Sequence, residues 1–184
     1  MQINVIIPTH IWEFEPVIRN WFERDLGNIW NLHFKQGEAP SGRNVRQWAT
    51  DYFSGYKAYF HFLDCDNLVS PAIMGWLELH QYRFEKEPKI IMFGQIWNAN
   101  GIKRLNAKPE NCVPARCDIA QLFVHGKFLK DMVWSADYEN DGQFINELYK
   151  RYPNDFVFVN DVNAWYNCLR PNSQLYNGQI ITIA

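Results

Sequence analysis

AYFHFLDCDN, residues 58–67, is the stretch on which the reading of this chain turns. Its first six residues are almost wholly apolar and aromatic, the composition of a strand buried inside a sheet. It then runs into two carboxylates, Asp64 and Asp66, one residue apart. Strand alternation puts residues i and i+2 on one side, so the pair faces a common site while Cys65 turns toward packing. Two close carboxylates repel unless a cation, a proton or hydrogen bonds compensate. Mg²⁺ is commonly held by one or two carboxylates together with phosphates and water, so such a pair at a sheet edge suits a metal–diphosphate complex. The same residues also suit a turn, with Asp66-Asn67 opening a loop before Ser70 caps the next helix.

Working outward, NVIIP (4–8) is a short β-branched run stopped by Pro8 and followed by Thr9, a strand entering a loop. EPVIRNWFERDLG (15–27) pairs Val17 with Trp21 and Ile18 with Phe22 at helical spacing and ends on Gly27. NLHF (31–34) is a second, weaker strand, and QGEAPSG (36–42) is dense in turn formers. A helix from about Asn44 to Ser54 carries Val45, Trp48, Ala49 and Tyr52 on one face. After the acidic pair, Ser70 and Pro71 start a helix through Ile73, Leu77, His80 and Phe84. KIIMFGQIW (89–97), IAQLFV (119–124) and FVFV (156–159) are further strands, with a polar, turn-rich insertion at 98–117 suited to a hairpin and a helix at 141–152. The tail at 163–184 suits either packing beside the site or a last strand.

Strands alternating with helices imply a single α/β domain over residues 1–184 with a mainly parallel central sheet. Ligands bind such sheets beyond the carboxyl ends of the strands, where Thr9 and the Asp64/Asp66 pair both fall. Composition agrees with one compact soluble unit: 184 residues, 47% hydrophobic, with aromatics spread along the chain. A formal charge of -2 with mixed signs excludes a broad basic surface for nucleic acid. The start has no secretory pattern and no apolar run reaches a membrane span, so the expected compartment is the cytoplasm. The cysteines Cys65, Cys112, Cys117 and Cys168 form no CxxC pair and are expected as free thiols.

Three segments taken in order, NVIIPT, SGRNVRQWATDYFSGYKAYFHFLDCDN and YENDGQFINEL, resemble glycosyltransferases of family 2 type with a GT-A fold. The resemblance covers roughly residues 3–150. It implies an enzyme that moves a sugar from a nucleoside-diphosphate sugar, a UDP-sugar foremost, to a carbohydrate or other hydroxyl acceptor. It places Pro8 and Thr9 against the nucleotide, and Arg43 and Asn44 near the donor. Asp64 would meet ribose or metal and Asp66 the metal directly, the ion being Mn²⁺ or Mg²⁺. In the acidic stretch before the last helix, Asp141 is the implied base and Glu139 the reserve. With one base and no nucleophile, inversion in a single displacement is implied. On local grounds Asp141 is equally an N-cap, and Arg43 a helix-start arginine paired with a surface acid.

Two departures from that family stand out. Its members end the second strand in an acid that holds the base, whereas this chain offers only Gln36 or the later Glu38. The sequence also leaves little beyond its last strand for an acceptor site, which points to a small acceptor or a partner protein completing the site. The alternative reading is an inert sugar-nucleotide or glycan-binding protein. A haloacid dehalogenase-type phosphatase fits less well, because there the acidic pair follows the first strand. His125 is a structural histidine or a third metal ligand, and Asp118 and Gln121 are sugar contacts or one polar face of an edge strand. Trp12, Trp97, Trp134 and Trp165 are sugar-stacking or core residues.

Overall fold

The computed structural model of this chain describes residues 1–9, 14–25, 30–36, 42–97, 102–166 and 169. Among these, strands β1 (Ile3–Thr9), β2 (Trp30–Gln36), β3 (Tyr59–Phe62), β4 (Ile90–Trp97), β5 (Ile102–Leu105), β6 (Leu122–His125) and β7 (Phe156–Tyr166) join one sheet. Its order is β2-β1-β3-β6-β4-β5, with β7 along the other side of β4. β1 pairs in parallel with β2 and β3, and β4 with β7. β6 runs antiparallel to both β3 and β4, and β5 antiparallel to β4. All strands but β5 and β6 therefore point the same way, as expected of a mainly parallel α/β sheet.

Four helices cover the sheet: α1 (Glu15–Asp25), α2 (Arg43–Phe53), α3 (Pro71–Lys86) and α4 (Asn140–Arg151). Alternation along the strands sorts the core onto two faces. Ile3, Val5 and Ile7 of β1 pack with Ile18, Trp21 and Phe22 of α1 and with Ile73, Leu77 and Phe84 of α3. Ile6 of β1 and Phe60 and Phe62 of β3 point the other way, onto Val45 and Ala49 of α2 and Phe144, Ile145 and Leu148 of α4. Each such fully buried large side chain contributes about 1.5–3 kcal/mol relative to leaving it in water. The sheet is thus fixed from both sides, and its carboxyl edge stays open to loops.

Three details differ from the expectation. Ile119–Gln121 form a 3-10 turn, so the strand begins only at Leu122. The hairpin is made by β4 itself with β5, Trp97 opposite Ile102. β7 is far longer than residues 156–159, because its second half continues past a register shift at Phe93/Gly94 to pair along the rest of β4. No helix among the described residues is long and apolar enough to cross a membrane. Cys65, Cys112 and Cys117 are buried and outside any disulfide. Trp12, Glu38, Cys168 and the tail from residue 170 lie outside the described residues.

Candidate active site

The carboxyl end of β1 brings Pro8 and Thr9 to the open edge. Thr9 is fully buried, and its Oγ1 finds no hydrogen-bond partner. Pro8 lies against Gly42, which has φ 58° and precedes α2. A Cβ on Gly42 would stand 2.3 Å from the Pro8 Cβ, so only glycine satisfies both the left-handed backbone and the close approach. The helix then starts on Gly42, whose carbonyl accepts from the amides of Val45 and Arg46 at 3.1 Å. Arg43 is exposed, and its Nε donates to the Trp134 carbonyl at 2.9 Å. Asn44 is exposed as well, with Oδ1 accepting from the Val45 amide at 2.9 Å.

The acidic pair sits differently from its expected place on a strand face. β3 ends at Phe62, and the Asn67 amide donates back to the Asp64 carbonyl at 3.0 Å, closing a turn over Asp64–Asn67. Cys65 is buried as expected, and so is Asp66. The Asp66 carbonyl accepts from Leu169 N at 3.0 Å, which ties this turn to the chain beyond β7.

Asp141 comes from the first turn of α4. The position before that helix is Glu139, which makes no side-chain cap, so Asp141 is not the N-cap. Its carboxylate turns inward to Arg46, which the sequence reading did not single out. Arg46 donates through Nη1 to Asp141 Oδ1 and through Nη2 to Asp64 Oδ1. Burial opposes the charge on this guanidinium, but Asp64, Asp141 and Asp118 outweigh it and raise its pKa. Trp134 lies below, its ring 5.1 Å from the guanidinium carbon and stacked on Phe144 at 4.1 Å. Trp134 is wholly buried and anchored to α2, its Nε1 donating to Thr50 Oγ1 and its amide to Gln47 Oε1.

Asp118 caps the 3-10 turn before β6, accepting from the Ala120 amide at 3.0 Å, and pairs with Arg104 at 3.0 Å. Because β6 is antiparallel, its beginning rather than its end reaches the open edge. Burial and the Asp64 charge push the Asp118 pKa up. Gln121 completes the cap by accepting from the Asp118 amide and donates to the Phe93 carbonyl, so its side chain is structural. His125 is carried to the opposite edge, beside Tyr59 at the start of β3. It cannot join the acidic pair. There its Nδ1 accepts from the Lys127 amide at 3.2 Å, and it lines a cavity of about 860 Å³ with Met1, Lys57 and Lys86.

Burial pushes the Asp141 pKa up to about 7; Arg46 and the Ile119 backbone pull it down, and the charges of Asp64 and Asp118 reinforce the rise. A carboxylate poised there can take a proton near neutral pH. At this edge the charges of Asp64, Asp118 and Asp141 gather around Arg46, with Arg104 paired to Asp118. Among the described residues no three His, Cys, Asp or Glu side chains converge closely enough to cage a metal alone. The donor set suits a divalent ion that completes its shell with phosphate oxygens and water. Of the tryptophans, Trp97 ends β4 at 39% exposure against Tyr166, while Trp165 packs on Trp21.

This sheet order and helix arrangement match solved structures of S. aureus TarS, a glycosyltransferase of GT-A fold. Against TarS 1-349 the TM-score is 0.56 at 15% identity, covering 90% of this chain and 60% of that one. The chain has the GT-A fold. A longer TarS structure gives 0.57 at 14% identity, again over 90% of this chain but 36% of its own length. The chain therefore spans less than two thirds of the length of each of these two structures. No protein-family profile matches it, and no curated protein does. In the GT-A fold the meeting of Asp64 and Asp141 lies beyond the carboxyl ends of parallel strands, the usual ligand edge of an α/β sheet.

Proposed function

We propose that this protein is a glycosyltransferase that moves a sugar from a nucleoside-diphosphate sugar, a UDP-sugar in the first instance, to a hydroxyl acceptor with inversion. The observation that carries this reading is the convergence of Asp64, from the turn after β3, with Asp141, from the start of α4, across one arginine. The donor would lie along Pro8, Thr9, Arg43 and Asn44, with the buried Thr9 Oγ1 in need of a partner and Arg43 able to meet phosphate. Asp64 and Asp66 would hold Mn²⁺ or Mg²⁺ with the diphosphate. When bound, the ion supplies positive charge against the departing nucleoside diphosphate.

Asp141 takes the acceptor hydroxyl proton. The freed oxygen bonds to the anomeric carbon as the carbon–phosphate oxygen bond breaks, its electron pair leaving with the nucleoside diphosphate. Attack from the far side inverts the centre. One observation favours the second reading, an inert sugar-nucleotide-binding protein: Arg46 takes one oxygen of both carboxylates. A thermal-shift screen of nucleoside diphosphates and their sugars, with and without Mn²⁺, is expected to raise Tm for one nucleotide series only with the ion present. Slow release of nucleoside diphosphate from that sugar supports the enzyme. A Tm rise without turnover under any acceptor supports the binding protein, and no Tm rise for any nucleotide overturns both.

A further inference from the structure

We infer that Arg46 is the positioning residue of this reaction centre, a buried fork whose two arms set Asp64 and Asp141 at a fixed separation. The inference rests on the glycosyltransferase reading above. Its side chain is 3% exposed, and its Nη groups reach carboxylates 18 and 95 residues away along the chain. Nε has no partner, so the committed hydrogen bonds are those to the two acids. Each bond takes Oδ1 and leaves part of the carboxylate open: the Asp64 and Asp141 side chains keep 38% and 22% of their surface exposed. What substrate meets is thus the remainder of each acid, aimed by the oxygen that Arg46 holds.

The arginine is itself fixed. It sits one turn into α2, whose start is locked to β1 where Gly42 presses on Pro8, and Trp134 closes its underside. Donor side and base side are therefore referenced to one rigid helix. A guanidinium suits this task because its planar, permanently charged fork presents donors in two directions, whereas an ammonium is a point charge on a flexible stem. Misplacement of a catalytic group by about 1 Å can cost about a hundredfold in rate, so a shared anchor has kinetic consequences.

The test uses Arg46→Met and Arg46→Lys, alone and combined with Asp141→Asn, in the full chain. Release of nucleoside diphosphate in the presence of acceptor gives kcat and KM; urea midpoints give stability. Arg46→Met is expected to lower kcat at least a hundredfold in the wild-type background, and less than threefold when Asp141 is already Asn. A side chain that serves only stability would give the same factor in both backgrounds, and that result overturns the inference. Arg46→Lys is expected to recover much of the urea midpoint but not kcat; full kcat would show that charge without a fork suffices and would also overturn it. If Arg46→Met fails to fold, the Lys variant carries the test alone. Wild-type protein that turns over no nucleotide sugar overturns the glycosyltransferase reading and the role with it, whereas an active enzyme indifferent to Arg46 overturns the role only.

Discussion

Asp141 is half-buried among charges of both signs, and its pKa follows from their balance with desolvation. Burial and the neighbouring acids Asp64 and Asp118 lift it to about 7, against the pull of Arg46. As the base proposed above, Asp141 would work in its deprotonated form, so kcat is expected to rise about tenfold per pH unit below 7 and to level off above it. Asp141→Asn should reduce kcat by about 10²–10⁴ and remove that rising limb, with the protein still folded. A rate profile measured at saturating donor checks both; an unchanged limb in the Asn variant would assign it to another group. The order of segments around YENDGQFINEL singles out Asp141 as a candidate, but gives no sign of its partner. Arg46 lies beside the apolar stripe of Val45, Trp48 and Ala49, where an arginine reads as surface. What buries it are carboxylates far away in sequence, and local spacing carries no trace of such pairing.

Elements were legible where a single strand or helix buries its own pattern. β1, β3, α2 and α3 follow from their apolar runs and from Ser70 and Pro71 at the start of α3, whose Ser70 side chain accepts from Ile73 N. Strand direction was not legible at β6, because an apolar run of four reads the same either way. The reversal carried His125 away from the acidic pair and brought Asp118 toward it. The turn after β3 was one of two readings that Asp-Cys-Asp-Asn left open, since it suits both a pleated end and a turn. Gly42 is the element-level hinge of the site. Gly42→Ala forces a side chain into a left-handed backbone and onto Pro8, and should cost at least about 2 kcal/mol. The urea midpoint should fall with little change in m, and at the proposed donor site nucleotide affinity should weaken because Pro8 and Thr9 would be displaced together. Wild-type affinity in a destabilised variant would separate the β1 end from the nucleotide.

For the whole molecule, acid sensitivity has opposing sources, of which His61 and Asp141 are two. His61 sits in the middle of β3, its Nδ1 donating to the Leu122 carbonyl at 2.9 Å and its ring stacked on Phe123 at 4.1 Å. Burial outweighs that hydrogen bond and the Asp64 charge, and lowers its pKa to about 4. Between pH 6.5 and 4 the unfolded chain therefore binds the extra proton, so the stability that neutral His61 contributes is complete above 6.5 and lost as pH falls toward 4. Asp141 acts in the other direction, because its raised pKa makes the folded state the better proton binder below 7. A wild-type Tm profile alone would blur the two. His61→Phe separates them: Asp141 contributes equally to both proteins, so it cancels from the difference. At pH 7 the variant should be less stable by about 1 kcal/mol, because the Leu122 carbonyl loses its donor. Toward pH 4 the gap should close or reverse, since phenylalanine has no proton to gain on unfolding. A gap in Tm that stays constant from pH 7 to pH 4 would mean that His61 titrates alike in both states, and that the two layers packed on β3 do not exclude water from its ring.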